Sequence, residues 1–171
     1  GNDIFGRQRK MRALSLNDAA MLAVSIIVCQ LAGMIGSIPN IEAIPGWYAT
    51  IARPSFTPPD AVFAPVWITL YFMMGVSVFL VWRKGLSATG VKAALAAFAV
   101  QLVLNTLWSY IFFGWKLLLP AFIEIILLWF AIVVTIVLFR PISRAAAWML
   151  APYLVWVSYA SALTFEIWRL N

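Results

Sequence analysis

The 171-residue chain contains no histidine. That removes the commonest general base and the commonest metal ligand together. It has one cysteine, Cys29, inside an apolar run, so no disulfide framework is available. Charged residues make up only 11%, where soluble domains carry about 25%. No polar stretch exceeds roughly 20 residues, so no soluble domain is expected beside the apolar one within this sequence.

What is present is apolar. Hydrophobic residues reach 64%, and a globular core of this size cannot hide that much surface, so the solvent is lipid. The expected fold is an all-α membrane protein, a five-transmembrane-helix bundle with a structured loop between helices 1 and 2. The spans are expected at 19–38, 62–82, 91–113, 118–139 and 145–166. Each holds about 20 residues or more, enough for a hydrocarbon core of ~30 Å. Ser15 and Asn17-Asp18 offer N-cap oxygens. Gly36-Ser37-Ile38-Pro39 is expected to stop the first span. Pro65 and Pro120 are placed in first turns, whereas Pro152 should kink the fifth span or free a carbonyl. Residues 1–18 read as a basic N-terminal segment, partly tag or extension, since Gly1 is not an initiator methionine, and 19–171 as a single membrane domain.

The basic residues are unevenly placed. Arg7, Arg9, Lys10, Arg12, Arg83, Lys84, Lys92, Arg140 and Arg144 fall on one side, and Arg53, Lys116 and Arg169 on the other. This bias puts the N-terminus in the cytoplasm and the C-terminus outside. The net charge of +6 then reads as topology and attraction to anionic lipid, not nucleic-acid binding.

Trp47-Tyr48 followed by Arg53-Pro54-Ser55-Phe56-Thr57-Pro58-Pro59 reads as a rigid, non-helical lid. Several of the nine tryptophans sit at span ends, where an interfacial belt accounts for them. Trp67, Trp108 and Trp156 lie deeper. Trp67 with Tyr71, then Asn105, Trp108, Ser109 and Phe112, then Trp156, Ala160 and Leu163 form stripes at helical spacing. Such stripes either line a flat apolar cavity or fill the bundle core. Asn105 and Gln101 must bond another helix, a freed carbonyl or a ligand. Glu124 is an intramembrane acid that either serves function or reaches out to Lys116. Glu166 and Arg169 form an i,i+3 surface pair. Gly90, Ala93, Ala94 and Ala97 give small-xxx-small spacing in helix 3, suited to close helix approach within the chain or in a homodimer.

The loop, the run Val62-Phe63-Ala64-Pro65-Val66-Trp67 with Tyr71, the run from Gln101 to Trp108, and Pro152-Tyr153-Leu154-Val155-Trp156 together resemble the translocator protein family, also called the tryptophan-rich sensory or peripheral benzodiazepine receptor family. The resemblance runs from about residue 20 to the end. It implies a dimeric five-helix bundle that binds porphyrins and other tetrapyrroles, haem included, sterols in some members, and flat drugs under the first long loop, with no obligate cofactor. Its ligand-binding positions would be Trp47, Tyr48, Pro58, Trp67, Tyr71, Asn105, Trp108, Ser109, Phe112, Trp156, Ala160 and Leu163. Departures are Phe56, where Trp is frequent, and a missing Asn near Leu163-Thr164-Phe165. Phe165 also stands where sterol recognition would want Tyr before Arg169.

A tetrapyrrole receptor or sensor is the expected function. Light-dependent porphyrin breakdown, with Trp67 and Trp156 as redox partners, and transport of tetrapyrrole- or sterol-like ligands are the alternatives. No metal site is expected. With no histidine, iron ligation would fall to weaker candidates such as Tyr, Met or Cys29, or be absent, so metal-free porphyrin is expected to bind at least as tightly as haem. Parallel titrations of the two pigments check this; a much tighter haem complex would contradict it.

Overall fold

The structure is a computed structural model and describes residues 15–171. The basic stretch with Arg7, Arg9, Lys10 and Arg12 lies outside the described residues. Five helical stretches are long and apolar enough to cross a membrane, and large apolar side chains such as Ile27, Ile68, Val103, Phe130 and Val155 face outward.

Helix α1 spans Leu16–Ala43. The Ser15 Oγ accepts from the Asp18 N–H at 3.1 Å and caps it. The expected stop at Pro39 does not occur; the helix runs through it and ends in a π-helical turn, Ile44–Tyr48. A proline leaves the carbonyl four residues earlier without its donor. Here that carbonyl belongs to Ile35, and the Tyr110 hydroxyl from the third span donates to it at 2.8 Å. A neighbouring helix therefore supplies what the proline withholds. Trp47 and Tyr48, expected in a non-helical loop, consequently sit on a helical end.

Helix α2 spans Asp60–Trp82, with Pro65 inside it and not in its first turn. Helix α3 spans Val91–Ser109 and continues as a second π-helical turn, Tyr110–Gly114. Helix α4 spans Leu118–Phe139, with Pro120 in the first turn as expected. The fifth span is two helices, α5 at Arg144–Met149 and α6 at Ala151–Leu170, parted at Leu150. The interruption falls two residues before Pro152, as expected of a residue that cannot continue the helix's hydrogen bonds, and Pro152 stands in the first turn of α6.

In the bundle α1 packs on α2 and α3, α4 on α3 and α6, and α5 on α2. Two glycines allow α1 and α2 to meet. A Cβ on Gly33 would lie 2.6 Å from the Tyr71 ring, and one on Gly75 would lie 2.7 Å from the Ile26 Cα. The small-residue pattern of α3 is partly used within the chain. Ala94 is fully buried, and Gly90 is an N-cap at φ +82°, a conformation glycine adopts without strain. Ala93 faces outward and Ala97 is half-buried.

The buried amides bond other helices. The Tyr71 hydroxyl donates to Asn105 Oδ1 at 2.8 Å, Asn105 Nδ2 donates to the Tyr153 hydroxyl at 2.6 Å, and that hydroxyl donates to Gln101 Oε1 at 2.7 Å. The chain of bonds ties α2, α3 and α6 at mid-bundle. Glu124 does not reach Lys116: it is buried, and both its oxygens lack a partner among the described residues. Glu166 and Arg169 pair as expected, at 2.6 Å.

Substituting Gly75→Ala drives a methyl into backbone, which overpacking prices at about 1–3 kcal/mol. Gly46→Ala, with open space around it, should stay within roughly 0.5 kcal/mol of the parent. Unfolding of both variants in detergent micelles checks the contrast.

Candidate ligand-binding site

One aromatic slot forms where the ends of four spans meet. The turn closing α1 brings Ile44 and Tyr48, with Asn40 one helical turn before. Helix α2 brings Phe63 and Trp67 at i,i+4, and the end of α3 brings Trp108 and Ser109. The π turn that follows carries both Phe112 and Phe113 inward, since its wider register lets adjacent residues share a face. Helix α6 adds Trp156, Tyr159, Ala160, Leu163, Thr164 and Ile167 along one stripe.

The rings touch each other. Trp67 and Trp156 meet edge to face at 6.3 Å, and Trp108 stacks on Phe112 at 5.0 Å. Tyr48 meets Phe113 edge-on at 5.5 Å. The open space left among the rings is about 40 Å³, room for a few waters and far too little for a ring system. A planar guest needs roughly 7 Å between wall atoms, twice a carbon contact distance, so these rings must part to admit one.

The walls carry unmatched polar atoms. Among the described residues, six buried side-chain nitrogen or oxygen atoms have no hydrogen-bond partner. Two belong to Glu124; the other four are Asn40 Oδ1, the Tyr48 hydroxyl, Trp108 Nε1 and Trp156 Nε1, and every one of those residues lines the slot. Three of the four can donate, and all four are closed off even from water as the rings stand.

Of the residues singled out by sequence, Tyr48, Trp67, Trp108, Ser109, Phe112, Trp156, Ala160 and Leu163 are brought together here. Four are not. Tyr71 and Asn105 are consumed in the mid-bundle hydrogen bonds. Trp47 packs on Phe112 at 5.6 Å without lining the slot. Pro58 lines an open outer depression with Arg53, Pro54 and Asp60. Phe63 and Tyr159 were missed although they lie one turn from Trp67 and Trp156. Asn40 and Ile44 were missed because the first helix was ended too early.

The loop at residues 51–59 is tied down at three places. Asn171 Oδ1 accepts from the Ala52 N–H at 3.1 Å, while Asn171 Nδ2 donates to the Ala52 carbonyl at 2.8 Å. The hydroxyl of Tyr159, a slot residue, donates to the Phe56 carbonyl. The Arg53 guanidinium lies 4.7 Å above the Tyr48 ring and 3.8 Å from the Asp60 carboxylate.

Residues 25–169 match the model of the TspO/MBR family. Among similar proteins is "Tryptophan-rich protein TspO" of Chlorobaculum tepidum, 41% identical over 150 residues, covering 88% of this chain and 95% of that one. Protein CrtK of Rhodobacter capsulatus is 38% identical across 88% of this chain and 92% of its own. The human translocator protein is 39% identical over 127 residues, 73% of this chain and 75% of its own.

Removing the Asn171 side chain frees the Ala52 backbone on both faces. At ~1 kcal/mol per net hydrogen bond, N171A should speed amide exchange across 51–59 about tenfold or more. Hydrogen exchange followed by mass spectrometry reads this directly; an unchanged loop would show that the contact does not hold it.

Proposed function

The chain belongs to the TspO/MBR family, and from that premise we propose that this multi-pass membrane protein is a receptor for tetrapyrroles, held in the aromatic slot beneath the helix 1–2 loop. The observation that carries the reading is the convergence of four unmatched polar atoms on one apolar slot. Each buried group left without a partner costs about 1–3 kcal/mol, and native structures keep few of them. A porphyrin offers a flat π-surface to the rings and carboxylates to the Tyr48 hydroxyl and the two indole N–H groups. Each aromatic pair adds about 0.5–1.5 kcal/mol beyond area burial.

The proposal extends to orientation and assembly. The basic end of the bundle, with Arg83, Lys84, Lys92, Arg140 and Arg144, faces the cytoplasm of a bacterial cell, and the slot opens on the other side. Two copies associate along α3, with Ala93 and Ala97 at the contact. Ala94 takes no part, because it is buried within one chain.

A second reading rests on the Trp67–Trp156 contact. Both indoles line the slot and touch, so either can give an electron to an excited pigment lying against it. Illumination of the bound porphyrin separates the readings: loss of its absorption marks breakdown, and a constant spectrum marks binding alone.

Porphyrin titration followed by tryptophan quenching tests the receptor reading. Trp108→Phe and Trp156→Phe each delete one donor and keep a ring, and should weaken binding about five- to tenfold, as a hydrogen bond of ~1–1.5 kcal/mol requires. Trp82→Phe, at the far end of α2, should leave the affinity unchanged. Equal affinities for all three variants would contradict the placement.

A further inference from the structure

A second concavity lies at the opposite end of the bundle. It is a groove of about 460 Å³ between the end of α4 and the α5–α6 break, large enough for a small-molecule headgroup. Arg140 and Arg144 stand at its rim, Trp148 beside them, and Ala151, Leu154 and Val155 line its length. It lies alongside the interruption at Leu150, with Ala147 and Trp148 from one side of the break and Ala151, Leu154 and Val155 from the other.

Three features define what fits. Both arginines are exposed, and neither lies within 4.0 Å of a carboxylate among the described residues. The one described acid at this end, Asp18, is already engaged by Arg83 at 3.5 Å. Among the described residues no carboxylate is placed to meet these two guanidinium groups, which leaves them open to an anion that binds there. Trp148 is 77% exposed, the placement of an indole that sits at a membrane interface. Below the charged rim the wall is aliphatic and belongs to a membrane-spanning stretch, so a free anion would leave that half empty.

We propose that this groove seats an anionic phospholipid, its phosphate clamped by Arg140 and Arg144 and an acyl chain lying along Ala151, Leu154 and Val155. Guanidinium groups match phosphate oxygens in bidentate geometry, and basic pockets between spanning helices suit anionic headgroups. The site is distinct from the aromatic slot and independent of its ligand.

The test is native mass spectrometry of the full chain released from micelles, titrated with phosphatidylglycerol and with phosphatidylcholine of the same acyl chains. Phosphatidylglycerol should be retained preferentially. R140Q or R144Q should weaken its retention about fivefold and the double variant ~30-fold, as expected for basic residues at a membrane surface. Lys92→Gln removes a charge at the same end outside the groove and should change nothing. Glycerol phosphate at equal concentration should not displace the lipid. Equal retention of the two lipids would overturn the proposal, as would an unaffected double variant. So would a K92Q effect as large as that of R140Q, which would mark unspecific surface charge, or displacement by glycerol phosphate, which would mark a free-anion site.

Discussion

Within hydrocarbon no water completes a broken hydrogen bond, and this constraint organises the whole molecule. The Tyr110 hydroxyl closes the gap that Pro39 opens at Ile35. Tyr71, Asn105, Tyr153 and Gln101 satisfy each other at mid-bundle. The Ser77 hydroxyl donates to the Ala146 carbonyl at 2.7 Å and so docks α5 on α2, while Trp129 Nε1 donates to the Ser158 hydroxyl at 2.8 Å across α4 and α6. Against that thoroughness the exceptions stand out. Apart from Glu124, the unmatched atoms gather in one slot. That concentration, with Glu124 as the exception elsewhere, is what supports reading the slot as a binding site.

The slot is closed as it stands. Its rings contact one another, and a planar guest must exchange ring–ring contacts for ring–guest contacts of similar worth. The net driving force then comes from the unmatched donors and from burial of the guest. Two slot residues touch the loop, Tyr48 through Arg53 and Tyr159 through Phe56. On the proposed reading, release of the loop would precede entry of a guest, and the fraction of molecules so released would set the apparent affinity.

Much of the architecture was legible from length and composition. An apolar run of about 20 residues has one use in lipid, and all five spans are present. The ends were harder. Pro39 reads as a stop because its compensating donor, Tyr110, lies in another span, and no local pattern reveals the pair. That error hid Asn40 and Ile44 and placed Trp47 and Tyr48 in a loop. Helical spacing grouped Trp67, Trp108 and Trp156 correctly, since a stripe faces one way along its length. It could not show where along the stripe the slot ends. Tyr71 and Asn105 share stripes with slot residues yet lie deeper, where the helices close and bond. Phe112 and Phe113 both face inward because a π turn shifts the register, a feature the period of 3.6 does not anticipate.

The central claim is that the indole N–H groups of Trp108 and Trp156 meet acceptors on a bound guest. The most direct measurement is the indole ¹H–¹⁵N spectrum of the protein in micelles, recorded with and without metal-free porphyrin. The Trp108 and Trp156 resonances should move downfield as hydrogen bonds form, while that of the exposed Trp148 stays in place. A spectrum in which the exposed indoles shift and those two do not would contradict the account.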